Sequence, residues 1–155
     1  MAFDASGEIE FVRDLEIFVE SDNGKKIIGD KSLYLLRNAD TKSKGLGFAL
    51  AENFYPDFLL WLVDDTTGEQ WLSLIDPKGI RQLDLRSGKF GLYKEVKNYE
   101  KDNLNLNAFI LSGTSYSDLV NVEKTKPELE EANVIFMEDG RDVYLEKIIK
   151  QSCCL

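Results

Sequence analysis

The sequence predicts a mixed-sheet domain of the α/β or α+β class. Three observations predict it. An amphipathic helix pattern opens the chain, two apolar runs separated by a turn-rich hexapeptide follow, and helical and extended patterns then alternate to the end. At 155 residues a single domain over 1–155 is expected, long enough to enclose a core.

Phe11, Val12, Leu15, Phe18 and Val19 recur at three- and four-residue spacing, the period of one helix face. Ser6 is the candidate N-cap, Glu8 and Glu10 suit the first turn, and Asp22-Asn23-Gly24 reads as the turn that ends the helix near Ser21. Ile27-Ile28 and Leu33 to Leu36 read as short extended pieces. A polar loop from Asn38 to Lys44 leads to Gly45-Leu46-Gly47-Phe48. Phe58 to Val63 and Gln70 to Ile75 are predicted strands, joined by the hairpin loop Asp64 to Glu69. A polar-faced helix is predicted over about Phe90 to Lys101, and a strand over Asn107 to Ser112. Helical turns follow at Ser117 to Val120 and Pro127 to Ala132. The pattern ends in a strand at Val134 to Met137 and a helix at Val143 to Lys150.

Composition narrows the chemistry. The chain has no histidine and a net charge of -9. Imidazole-based hydrolases and His-ligated zinc sites are therefore excluded. Its two cysteines are neighbours, Cys153 and Cys154; they supply neither a zinc site nor a disulfide framework and read as inert tail residues. Catalysis would fall to carboxylates, lysine, hydroxyls and a hard metal ion. The acidic balance argues against a free-standing, non-specific nucleic-acid binder. No apolar run is long enough to span a membrane, and the first ten residues lack the pattern of a secretory signal. With unpaired thiols, this points to a soluble, cytoplasmic protein.

The candidate chemistry lies at the two ends of the hairpin. Pro56-Asp57 opens one strand, and Asp76-Pro77-Lys78-Gly79 closes the next. A turn centred between Thr66 and Thr67 would set Asp57 opposite Asp76, with β-carbons about 5 Å apart. Lys78, two residues on, would return to the same face. Two like charges so placed are destabilising unless neutralised, and Mg²⁺ prefers such oxygen ligands. The Pro77 carbonyl would add a ligand. A metal there would activate water against a phosphodiester, with Lys78 orienting the water or stabilising developing charge. Glu8 shares the apolar face of the first helix and would point inward as a third carboxylate; Glu10 faces elsewhere. Asp-Pro and Lys-Gly are also common strand-ending residues. The functional reading rests on the combination, not on either motif alone.

The pattern resembles the PD-(D/E)xK nuclease superfamily, with Pro56-Asp57 as its first half and Asp76-Pro77-Lys78 as its second. The segments GEIEFVRDL, LYLLRN, GLGF, NFYPDFLLWL and WLSLIDPKGIR, in that order, resemble the C-terminal endonuclease domain of type III restriction subunits and related DEAD/DEAH-box helicase-like restriction proteins. The likeness covers roughly residues 6–100. It implies a restriction-endonuclease-like core, a central mixed β-sheet flanked by helices. It implies metal carboxylates at Asp57 and Asp76, a catalytic lysine at Lys78 and a helix glutamate at Glu8. Mg²⁺ would be the cofactor, with Mn²⁺ substituting, and double-stranded DNA the substrate. The second acidic position is Asp, where Glu is commoner. The chain has no G-x-x-x-x-G-K-S/T motor loop. The resemblance therefore implies a nuclease module of a longer helicase-containing chain, working with a translocase region and a modification-methyltransferase subunit.

Residues 78–98 carry six basic side chains (Lys78, Arg81, Arg86, Lys89, Lys94, Lys97) against Asp84 and Glu95, a net +4. Such a segment is either a DNA-facing edge or a solvated helix face. Arg37, with Asn38, Lys42 and Lys44, is a weaker candidate for the same edge. Trp61 and Trp71 are expected in the core, and Ser112-Gly113-Thr114-Ser115 in a loop. Two rival readings stand beside the nuclease. One is a catalytically inactive nuclease-fold module for DNA positioning or protein interaction. The other is a small-molecule phosphohydrolase using the same carboxylates.

Overall fold

The computed structural model describes residues 6–38, 56–78, 91–119 and 122–153. Helix α1 (Ser6–Glu20) buries Phe11, Leu15 and Phe18, the stripe predicted from the spacing. The predicted turn after it is instead a second helix, α2 (Asp22–Ile28), which also replaces the extended piece expected at Ile27-Ile28. Two local features outweigh the turn-forming composition. Ser21 Oγ accepts the Gly24 N–H at 3.0 Å, an N-cap. Gly24 itself is buried, and a β-carbon there would stand 1.8 Å from the Phe18 carbonyl oxygen, so its role is close helix–helix approach.

The strands are β1 (Lys31–Arg37), β2 (Phe58–Asp64), β3 (Gln70–Lys78), β4 (Leu104–Ser112) and β5 (Val134–Phe136), in the spatial order β1-β2-β3-β4-β5. β1, β2 and β3 form an antiparallel meander, while β3, β4 and β5 run parallel, so the sheet is mixed. The hairpin loop is fixed by Asp64, whose Oδ1 accepts the N–H groups of Thr66 and Thr67 at 2.9 and 3.1 Å. Those bonds hold its carboxyl below the usual carboxylate range. Gly68, at a φ of 76°, closes the turn.

Parallel strands need crossovers. The first passes through helix α3 (Leu92–Glu95) and a 3₁₀ turn, Val96–Tyr99. This is shorter and more broken than the helix predicted to Lys101; Val96 and Asn98 are weak helix formers, and a bridge between Lys101 and Leu104 turns the chain into β4. The second crossover passes a 3₁₀ turn, Tyr116–Asp118, and helix α4 (Lys126–Glu131), which opens with a full capping box between Thr125 and Glu128. Met137, predicted as a strand residue, opens a 3₁₀ turn before helix α5 (Arg141–Cys153).

Helices cover both faces of the sheet except at β1, where Tyr34 and Leu36 stay exposed. On one, α1, α2 and α5 pack against Phe58, Leu60, Leu62, Trp71, Ile75, Phe109 and Leu111. On the other, Val96 and Tyr93 cover Leu74, Leu106 and Ala108, and Leu129 covers Ile110 and Val134. Cys153 is not a tail residue: it lies in the last turn of α5, 8% exposed, because that helix carries its apolar face to its end. Cys154 lies outside the described residues. Trp71 is buried as predicted; Trp61 is half-buried and donates its Nε1–H to Gln70 Oε1. Among the described residues, no helix is long and apolar enough to cross a membrane.

Candidate functional site

Strand directions gather the candidate residues. β1, β3, β4 and β5 share one direction and β2 opposes it, so the carboxyl ends of four strands and the amino end of β2 meet at one sheet edge. Arg37, Asp57, Asp76, Pro77 and the backbone of Lys78 lie there. The first turn of α1 lies beside them: a β-carbon on Gly7 would be 3.9 Å from the Pro77 carbonyl oxygen.

The hairpin register is the one predicted. Phe58 pairs with Ile75 and Val63 with Gln70. One step further along the ladder sets Asp57 opposite Asp76. Asp57 sits at a bend just before β2, and its carbonyl accepts the Asn38 N–H at 2.9 Å, which extends the β1–β2 pairing to it. Asp57 is half-buried and Asp76 is 1% exposed. Both make other interactions in the chain. Strand alternation puts them on the face of Leu59 and Leu74, opposite to the face of Phe58 and Ile75. Lys78 lies two residues beyond Asp76, its backbone paired with Ser112.

Glu8 is buried, 5% exposed, as its position on the apolar stripe predicted. Its Oε2 accepts Arg37 Nη1 at 2.7 Å. Arg37, a candidate DNA contact, is thus joined to Glu8, a candidate metal ligand. The pair sits on the α1 side: the guanidinium carbon is 5.2 Å from the centre of the Phe58 ring, and Phe58 packs on Phe11. Glu8 therefore reaches the same edge as the two aspartates but on the other face. Among the described residues no three His, Cys, Asp or Glu side chains converge as a metal site. Glu10 is exposed, as predicted.

Two features escaped the sequence. A cleft of 660 Å³ opens beyond the ends of β4 and β5, lined by Glu10, Thr114, Ser115, Asp118 and Glu138 among others. Its parts come from three separated segments, so no local pattern announces it. Glu95 on α3 carries a carboxylate oxygen, Oε2, that is buried without a hydrogen bond among the described residues. Of the basic candidates, Lys94 is exposed, with its ammonium 5.5 Å from the Tyr93 ring centre, and Lys97 bonds Glu100 and Asn107. Arg81, Arg86, Lys89, Lys42 and Lys44 lie outside the described residues.

No protein-family model, curated protein or solved structure matches this chain.

A hard divalent ion fits the donor set of that edge. Mg²⁺ is commonly held by one or two carboxylates with waters completing the octahedron, and two opposed aspartates would supply those ligands. Neither histidine nor thiolate is required.

Proposed function

We propose that the chain is a metal-dependent deoxyribonuclease of PD-(D/E)xK type, acting as the cutting module of a restriction-type helicase or translocase system. The observation that carries the reading is the β2–β3 register, which makes Asp57 and Asp76 opposed neighbours at the sheet edge. The fold agrees with it, a mixed five-stranded sheet with helices on both faces.

Asp57 and Asp76 would hold Mg²⁺ or Mn²⁺, with the Pro77 carbonyl as a further oxygen donor. When bound, the ion would lower the pKa of water and offset charge on a phosphodiester. Asp76 enters the site from a buried strand and is rigidly placed; Asp57 enters from a bend and sets the separation. Lys78 would orient the attacking water or stabilise developing negative charge. Double-stranded DNA is the proposed substrate. The translocase region, with a modification-methyltransferase subunit, would deliver it, because a chain of net charge -9 holds DNA poorly alone.

Plasmid DNA incubated with the protein and Mg²⁺ or Mn²⁺ tests the assignment. Metal-dependent nicking or linearisation is expected, with loss in both Asp76→Ala and Lys78→Ala. Cleavage unchanged by those substitutions overturns it. The engagement of Glu8 with Arg37 favours a second reading, a non-catalytic nuclease-fold module. Calorimetry that detects no Asp57-dependent binding of Mg²⁺ or Mn²⁺ would support that reading against the first.

A further inference from the structure

The Glu8–Arg37 pair joins two residues that the nuclease reading had given separate tasks, and its surroundings suggest another. Arg37 is the last residue of β1 and pairs in register with Phe58, the first of β2. Its guanidinium bonds Glu8 on α1 at 2.7 Å and lies over the Phe58 ring, which in turn meets Phe11 on α1. The next residue, Asn38, donates its N–H to the carbonyl of Asp57. One side chain thereby ties α1, β1 and β2 together at the point where Asp57 enters the sheet. Glu8 is almost wholly buried, and a buried carboxylate without a cationic partner would be costly, so the pair resists separation.

We infer that Arg37 is a positioning residue for the metal site. Joined to Glu8, it fixes the start of β2 against α1 and so sets the Asp57 carboxylate relative to Asp76. The inference rests on the metal-site reading above. It removes Arg37 from the DNA-contact set and gives Glu8 an anchoring task in place of metal ligation. Arginine suits the position because its planar guanidinium can bond a carboxylate edge-on while covering a ring with its face; a lysine ammonium cannot do both. Groups that orient a ligand from behind typically cost about tenfold or more in metal affinity when altered.

The test is Mn²⁺ binding to the full chain, followed by electron paramagnetic resonance and calorimetry below the unfolding temperature of every variant. Arg37→Lys and Glu8→Gln are expected to weaken binding by about tenfold with the circular dichroism spectrum retained. Lys147→Met is the control for lost stability alone, because it breaks ion pairs to Glu130 and Asp139, neither of them a candidate metal ligand. It should leave Mn²⁺ affinity unchanged. Unaltered affinity in Arg37→Lys and Glu8→Gln, with wild-type binding that Asp76→Asn abolishes, overturns the positioning role and leaves the metal site standing. An equal loss in Lys147→Met also overturns it. Absence of Asp76-dependent Mn²⁺ binding in the wild type overturns the metal site and this inference together.

Discussion

Around the turn after β5, Asp139 accepts hydrogen bonds from Lys126 at 2.7 Å and Lys147 at 3.1 Å, while Glu138 and Glu130 lean on the same two lysines at 3.3 and 3.5 Å. At the edge of β3, the strand ladder instead sets Asp57 opposite Asp76. In the first place acid and base alternate in space, and each charge is stabilised by its neighbours. Burial opposes ionisation of Asp139, but the bonds from Lys126 and Lys147 outweigh it and hold its carboxyl below the usual range. Asp139, and after it Glu138, likewise keeps the Lys126 ammonium above its ordinary value against the effect of burial. In the second place the backbone fixes two like charges side by side before any side-chain pairing is counted. A region whose carboxylates are held by lysines and a region whose carboxyl groups the backbone sets against each other are thus distinguishable by substitution.

Asp76→Asn gives the largest expected effect. Mn²⁺ affinity should fall by about a hundredfold or more, roughly 2.7 kcal/mol, since a direct ligand is expected to count for more than an orienting group. A variant that loses stability and keeps its affinity would mean that Asp76 is a structural carboxylate like Asp139, and the contrast between the two regions would disappear.

Asp139→Asn should behave in the opposite sense. It leaves Lys126 to Glu138 and Lys147 to Glu130, both partly exposed pairs, and a loss of about 1 kcal/mol in urea unfolding is expected after solvent screening of the lysines is allowed for. Metal affinity should not move. If Asp139→Asn weakens Mn²⁺ binding, the two regions are coupled through β5 and β4, and separate ledgers for them are wrong.

The contrast also marks what the sequence could disclose. The two aspartates were legible because hairpin register is local: a six-residue loop with Asp64 at its start and Gly68 near its end fixes every pair on both strands. The burial of Glu8 was legible for the same reason, from helical period alone. Its partner was not, since Arg37 is 29 residues away and belongs to another element. Residues 22–28 were misread because Asp-Asn-Gly composition favours a turn, whereas the cap at Ser21 and the close approach of Gly24 to the Phe18 carbonyl, both short-range, hold a helix there. The charged cluster after β5 was invisible for the Arg37 reason again. Lys126, Asp139 and Lys147 come from a helix, a turn and a second helix.

Acid titration gives the smallest effect and the sharpest sign. The folded pKa of Asp139 is depressed, so its contribution is fully present above the unfolded carboxylate value of about 3.9 and is lost as pH falls through the lower folded value. The folded pKa of Lys126 is raised, so its contribution is fully present below about 10.4 and is lost only as pH rises through the higher folded value. Between about pH 5 and pH 9 both are complete, and the stability difference between wild type and Asp139→Asn should be flat. Below about pH 4 that difference should shrink, because protonated Asp139 is no longer the better partner for the two lysines. Urea unfolding of wild type and Asp139→Asn across that range reads the sign. A difference that stays constant below about pH 4 would show that the lysines do not hold the Asp139 carboxylate, and the difference between the two regions would rest on metal binding alone.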